Sequence, residues 1–178
     1  RVARWFVETE DARRPSLDRS WTERRGSVDL PGPAGPFELY GFADRIDRMR
    51  DGSFAIIDYK TGSRPTRKQL ETGLAPQLPL EALMIAGGGF EDVPAGPTEE
   101  LAYWRLTGGE EPGKVDAVTS NLTDLIAQAR QGLEVLIETF DDATTSYHAI
   151  PNPGRTPRFN DYEHLARVLE WGGEEGED

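Results

Sequence analysis

Between Gly41 and Lys60 the chain reads Gly-Phe-Ala-Asp, thirteen further residues, then Asp-Tyr-Lys, and here the residue types could do chemistry. Asp58 follows directly on Phe54, Ala55, Ile56 and Ile57. A carboxylate that emerges from an apolar strand needs a cation or hydrogen bonds to offset its loss of water. A hard divalent cation such as Mg²⁺ meets that need, because it takes oxygen ligands from one or two carboxylates and completes its shell with waters and phosphate. The competing reading of Asp44, Asp58 and Lys60 is a surface salt-bridge cluster, since Asp and Lys are common at strand ends. The apolar run before Asp58 favours the first.

Two β-rich runs, Phe37 to Met49 and Phe54 to Lys60, flank Arg50, Asp51 and Gly52, the Asp-Gly signal of a hairpin. Loop length decides where the acids fall. A three-residue loop, Arg50 to Gly52 with Gly52 left-handed, pairs Met49 with Ser53 and sets Asp44 opposite Asp58 on one face. A two-residue Asp51-Gly52 loop instead sets Asp44 opposite Tyr59 and turns Asp58 to the other face, because side chains alternate along a strand. Both registers are open to the sequence.

Around this hairpin, Val2, Trp5 and Phe6 followed by Glu8 to Arg14 read as the end of an amphipathic helix, stopped near Pro15. Residues 21 to 30 can form a strand, and the turn-rich Pro31 to Pro36 breaks any regular element. Residues 66 to 72 and Leu78 to Ala86 predict helices, the second tolerating Pro79 in its first turn. Glu100 to Leu106 predicts a strand and Gly108 to Gly113 a turn. From Leu122 to Phe140 apolar residues recur at helical spacing, a core-packing helix that Ser120 or Asn121 can cap. Ile150 to Pro157 reads as a connector and Asp161 to Trp171 as a last helix. The expected fold is α/β, a mixed central sheet flanked by helices, with the motif strands central.

The 178 residues have the size of one ordinary domain, expected over 1–171, ahead of an acidic disordered tail at 172–178. Because the chain opens at Arg1 inside an apolar pattern, it is expected to be a fragment of a longer polypeptide. With no cysteine, disulfide scaffolds, thiol nucleophiles, cysteine-held zinc and an iron–sulfur cluster are all excluded from this segment, and a cytoplasmic protein fits. His148 and His164, both late in the chain, fit multi-histidine metal sites and Ser-His-Asp arrangements poorly. A formal charge of −12 argues against a nonspecific nucleic-acid coat but leaves room for a local site. No run has the length of a membrane helix, and no Walker-type phosphate loop occurs, so a motor, if any, is elsewhere.

The stretches GFADRID, IIDYKTG and GLAPQLPLEA, with the ending YEHLARVLEW, resemble the PD-(D/E)XK nucleases of the RecB-like type, and among them the C-terminal nuclease domains of the AddB family. Their pattern is an upstream Glu, G-x-x-D, a hydrophobic residue with D-Y-K, and then a helix with Gln. The resemblance implies a restriction-endonuclease-like core that binds Mg²⁺, with Mn²⁺ able to substitute. It implies metal binding by Asp44 and Asp58, by the carbonyl of Tyr59 and by Glu23 as the upstream acid. Lys60 matches the catalytic lysine, and Gln77 the helix glutamine that helps orient the site. Glu81 stands where many relatives have Tyr, and Phe42 where Arg often follows the motif glycine. Neither departure removes a metal ligand. The family's upstream histidine is not present in the chain.

The same resemblance implies an exonuclease that cuts DNA, taken as a single strand from an unwound duplex end. It would act within a helicase–nuclease complex, beside a partner subunit of AddA type, in double-strand break repair and recombination. Phosphodiester hydrolysis suits these residues, since it needs an activated water and neutralisation of phosphoryl charge but no histidine or nucleophilic side chain. Arg64, Arg67 and Lys68 form a basic cluster that can grip a strand's phosphates, the competing reading being a solvated loop face. Asp47 reads as a solvent or salt-bridge residue and not a ligand. Two other classes compete with the enzyme. One is a nuclease fold that has lost cleavage and serves DNA binding or subunit docking, against which the intact Asp44, Asp58 and Lys60 argue. The other is an acidic protein-interaction domain, suggested only by the charge.

Overall fold

The computed structural model describes residues 1–147. Its organising feature is the closure of the central hairpin. The Met49 N–H donates to the Ser53 carbonyl at 2.8 Å and the Gly52 N–H to the Met49 carbonyl at 2.9 Å, so the loop is the three residues Arg50 to Gly52. Gly52 holds φ at +90°, which glycine adopts without a Cβ penalty. Asp51 Oδ1 accepts from the Ser53 N–H at 2.9 Å and the Ser53 hydroxyl at 2.7 Å, which fastens the turn from inside.

In chain order the elements are α1 (Val2–Arg13), a 3₁₀ turn at Arg14–Ser16, β1 (Leu17–Leu30), β2 (Phe37–Met49), β3 (Phe54–Lys60), α2 (Arg67–Glu71), α3 (Gln77–Ala86), β4 (Thr98–Leu106), β5 (Gly113–Val118) and α4 (Leu122–Asp141). One five-stranded sheet has the order β1-β2-β3-β4-β5. Neighbours are antiparallel except β3 and β4, which run parallel and are joined through α2 and α3, the long crossover that a parallel pair requires. The mixed sheet flanked by helices is the expected α/β fold, consistent with a restriction-endonuclease-like core. β1 starts four residues before its expected onset at Trp21. β5, which was not expected, alternates exposed and half-buried positions from Val115 on at the sheet edge and carries no apolar run to announce it.

β3 lies in the middle of the sheet, and Ala55, Ile56 and Ile57 are fully buried. Ile56 and Ile57 each contribute about 2 kcal/mol of transfer free energy, so this strand anchors the sheet. On one face Phe54, Ile56 and Leu101 join Leu78, Ala82 and Ile85 of α3 and Leu122 and Leu125 of α4 in the main core. On the other face Trp5 and Phe6 of α1 meet Trp104 edge-on, with ring centroids 5.9 and 5.7 Å apart, over Ile57 and Ala102. Gly113 lies beneath the Trp5 ring, where any Cβ would collide with it, so α1 can settle on β4 and β5.

Charge also holds α1 to the sheet. Asp47, fully buried, accepts from Ser20 Oγ at 2.6 Å and Arg45 Nε at 2.7 Å on Oδ1, and from Arg13 Nε at 2.8 Å and Arg45 Nη2 at 2.9 Å on Oδ2. Arg13 also pairs with Glu100 at 3.0 Å, and Arg45 with Glu10 of α1. Burial works to lower the Arg45 pKa, but its hydrogen bonds to Asp47, Glu10 and Tyr59 raise it above its ordinary value, so it stays charged. Asp47 is therefore a salt-bridge residue, buried and not solvated.

The chain divides into two units, Arg1–Asp141, which carries every element named above, and Asp142–Asp178. In the described part of the second, Asp142 Oδ1 accepts from the Thr144 N–H and hydroxyl, both at 2.8 Å. The helix expected over 161–171 and the acidic tail at 172–178 lie outside the described residues. Among the described residues no helix is long and apolar enough to cross a membrane.

Candidate active site

The hairpin ladder runs from Arg48 opposite Phe54 to Arg45 opposite Ile57, and one further step sets Asp44 opposite Asp58. On the other side of β2, Thr22 pairs with Arg45 and Arg24 with Ala43, which places Glu23 opposite Asp44. β4 sets Tyr103 beside Asp58, and β5 sets Asp116 beside Tyr103. Glu23, Asp44, Asp58, Tyr103 and Asp116 thus form one polar row across all five strands, just where β3 leaves its apolar run.

Asp58 is 2% exposed. Its Oδ1 accepts from Lys60 Nζ at 2.9 Å and from Gln77 Nε2 at 3.0 Å. Its Oδ2 is in ion-pair contact with Lys60 Nζ at 2.7 Å yet accepts no hydrogen bond. Lys60 reaches it by the i to i+2 relation on one strand face, its side chain 32% exposed. Asp44 is half-buried, and its Oδ2 accepts from the Tyr59 N–H at 2.9 Å. The Tyr59 ring lies on the α1 side against Phe6 and Trp104, with its hydroxyl accepting from Arg45 Nη1 at 3.3 Å. Burial raises the pKa of that phenol.

Two short helices bring in the remaining groups. A capping box at Thr66 and Gln69 starts α2, and Leu70 buries it against the core. α3 then begins at Gln77, directly after Pro76, so Gln77 stands at the helix mouth beside Asp58 and Glu81 lies one turn further in. Gln77 Nε2 also donates to Glu81 Oε1 at 3.1 Å. Burial first, and then the charges of Asp58 and Asp44, push the Glu81 carboxyl up to about 8 against the pull of the Gln77 hydrogen bond, so near neutral pH it holds its proton. Burial, with Asp58 and Glu81, likewise pushes the Tyr103 phenol up to about 12.

Asp44, Asp58, Lys60 and Gln77 therefore come together, and the Tyr59 backbone is bound to Asp44. Glu23 is exposed, at φ +51° within β1, and makes no ion pair or side-chain hydrogen bond among the described residues. Arg64 is paired with Asp116 at the far end of the polar row. Although burial opposes it, Arg64 and Lys114 hold the Asp116 carboxyl below its usual range. Arg67 binds Glu71 at 2.8 Å and Ser120 Oγ at 3.2 Å, while Lys68 is exposed. Sequence reading gave Glu81 and Tyr103 no role. The i to i+4 spacing from Gln77 was the one local signal for Glu81, and none existed for Tyr103, which arrives from another strand.

Among the described residues no group of three or more His, Cys, Asp or Glu side chains forms a metal cage. Two carboxylates and a main-chain carbonyl still suit Mg²⁺, which keeps several waters and shares substrate phosphate. The Asp58 Oδ2 that accepts no hydrogen bond fits that donor set.

The chain is 28% identical over 177 residues to an uncharacterized protein of Rickettsia bellii (strain RML369-C), a match covering 92% of this chain and 21% of that protein. It is 36% identical over 85 residues to an uncharacterized protein of Rickettsia conorii, covering 48% of this chain and 10% of the relative. The chain thus spans about a fifth or less of the relatives it matches. The crystal structure of SSO0001 aligns over 85% of this chain and 68% of its own at 12% identity and a TM-score of 0.42, too slight a likeness to bear on the fold. The family model of the PD-(D/E)XK nuclease superfamily matches residues 1–155, across both the Asp44 and the Asp58-Tyr59-Lys60 positions, and the chain belongs to that superfamily.

Proposed function

We propose that this segment is the metal-dependent DNA exonuclease domain of a longer protein, hydrolysing phosphodiester bonds within an AddAB-type helicase–nuclease. In that setting it works beside an AddA-type subunit in the cytoplasm, trimming a single strand from an unwound duplex end during break repair and recombination. The observation that carries the reading is Asp58, a buried carboxylate with one oxygen accepting no hydrogen bond, opposite Asp44 and beside Lys60.

Asp44 Oδ1 and Oδ2, Asp58 Oδ2 and the Tyr59 carbonyl are the oxygens that would hold the cation. Bound there, Mg²⁺ supplies a water of lowered pKa and polarisation of the phosphoryl oxygen. Gln77 and the Tyr59 N–H each hold one carboxylate in place, since ligating carboxylates need hydrogen-bonded support. Lys60 carries the charge that can orient the attacking water or stabilise the scissile phosphate as negative charge builds. The buried apolar strand beneath Asp58 fixes this geometry and excludes water from behind it.

Cleavage of end-labelled linear DNA by the purified protein, with Mg²⁺, with Mn²⁺ and with chelator, tests the reading. Chelator-sensitive release of short products that is lost in Asp58→Ala is expected. An Asp58→Ala protein that cuts at the wild-type rate would place the chemistry elsewhere.

A further inference from the structure

Gln77 and Glu81 sit one helical turn apart on α3, and a single side-chain nitrogen joins them to the site. Gln77 Nε2 lies 3.0 Å from Asp58 Oδ1 and 3.1 Å from Glu81 Oε1, so each of its two hydrogens has an acceptor. A glutamine amide is nearly symmetrical in shape, and its acceptors decide which end faces a given neighbour. Gln77 stands exposed at the rim, and Asp58 Oδ1 is already shared with Lys60. With that acceptor alone the amide could turn to water. Glu81 is 5% exposed among Leu78, Ala82 and Ile85, where an acid is costly unless it is used. Among the described residues it has no hydrogen-bond partner other than Gln77.

We propose that Glu81 is a positioning residue of the site: by accepting one Gln77 amide hydrogen it aims the other at Asp58 Oδ1 and so keeps Oδ2 turned toward the cation position. The acid at 81 acts through its oxygen as an acceptor, and not as a third ligand. This inference rests on the nuclease reading, which it deepens.

The test compares Glu81→Leu, Glu81→Gln, Gln77→Ala and the Gln77→Ala/Glu81→Leu double variant with the wild type. Three readouts are taken: the Gln77 side-chain amide signals by ¹⁵N NMR without divalent cation, Mn²⁺ affinity by calorimetry, and Mg²⁺-dependent cleavage. Glu81→Leu is expected to give the Gln77 amide the signals of a solvated glutamine and to lower Mn²⁺ affinity and cleavage about tenfold, the usual loss when a ligand's support is removed. Glu81→Gln, which still offers an oxygen, restores all three. The double variant should be no worse than Gln77→Ala alone, since the two residues act as one unit.

A wild-type Gln77 signal in Glu81→Leu overturns the proposal. So does a double variant whose losses are the product of the two singles, or a Glu81→Gln protein as impaired as Glu81→Leu, which would make the charge itself the working part. If the wild type neither binds Mn²⁺ nor cuts DNA, the nuclease reading fails instead, and the NMR comparison alone decides whether Glu81 sets the amide.

Discussion

Asp47 and Asp58 are both buried carboxylates on the central hairpin, on opposite faces of the sheet, and they are completed in different ways. Asp47 takes two donors on each oxygen, from Ser20, Arg13 and Arg45, and faces α1. Asp58 takes two donors on one oxygen, while its other oxygen has only the ion-pair contact with Lys60 and accepts no hydrogen bond, and it faces α3. A buried acid whose acceptors are filled from within the chain serves to bolt a helix to a sheet. One left short holds capacity for a group from outside, because leaving it short inside the protein is otherwise costly. The two also differ in their cations, two planar guanidiniums against one partly exposed ammonium.

The largest expected break in this comparison is on the Asp58 side. Asp58→Ala is expected to abolish metal-dependent cleavage while leaving the melting temperature unchanged or higher, because it removes a ligand of the proposed cation site and relieves repulsion with Asp44. Lys60→Ala should cost on the order of a hundredfold or more in rate, as lost charge-stabilising donors do, yet spare Mn²⁺ affinity, since an ammonium beside a cation repels it. Calorimetry and cleavage on the same preparations separate the two.

Asp47→Ala should do the reverse. Removing it leaves Arg13 and Arg45 without their shared carboxylate, a loss of about 3–5 kcal/mol in chemical denaturation. Under conditions where the variant is folded, its Mn²⁺ affinity should stay near the wild-type value. A variant that stays stable but loses the metal would show that the two faces are not separate in role.

Glu81 sharpens the contrast through pH. Its folded pKa of about 8 lies above the ordinary 4.5, so the folded protein holds a proton that the unfolded chain releases. Its contribution is fully present below about 4.5 and is lost as pH rises toward 8, by up to about 1.4 kcal/mol per pH unit. Without divalent cation, Glu81→Gln should therefore gain stability over the wild type progressively across that window and hold a constant advantage above it, as thermal melts from pH 4 to 9 would record.

The smallest expected effect is at the basic loop. Arg64 and Arg67 are already engaged with Asp116 and Glu71, whereas Lys68 is exposed. Lys68→Ala should reduce the salt dependence of single-strand binding by about 0.7 in slope, the share of one phosphate contact, in a titration series from low to moderate salt. An unchanged slope would remove Lys68 from the DNA path.

Much of this molecule was legible in local order. The Asp-Gly turn between two apolar runs announces a hairpin, the run before Asp58 announces a buried strand, and Pro76 before an apolar segment announces α3, because each depends on near neighbours alone. The register was not legible. Two loop lengths satisfied the sequence, and the Met49 to Ser53 closure with Asp51 capping the turn selects the one that sets Asp44 opposite Asp58. β5 escaped notice because it is a short edge strand whose apolar Val115 and Ala117 stay exposed, with no buried run to mark it.

What the sequence by itself determined is the chemistry at hand: two acids and a lysine at the end of an apolar strand, in a chain without cysteine and with two late histidines. Tertiary structure alone decided which acids are finished and which are not. Asp47 meets an arginine 34 residues away, Tyr103 comes beside Asp58 from a parallel strand, and Glu81 is buried against the site while Glu23 is left exposed. These outcomes depend on which donors arrive from distant segments, and no periodicity within a strand or helix carries that information.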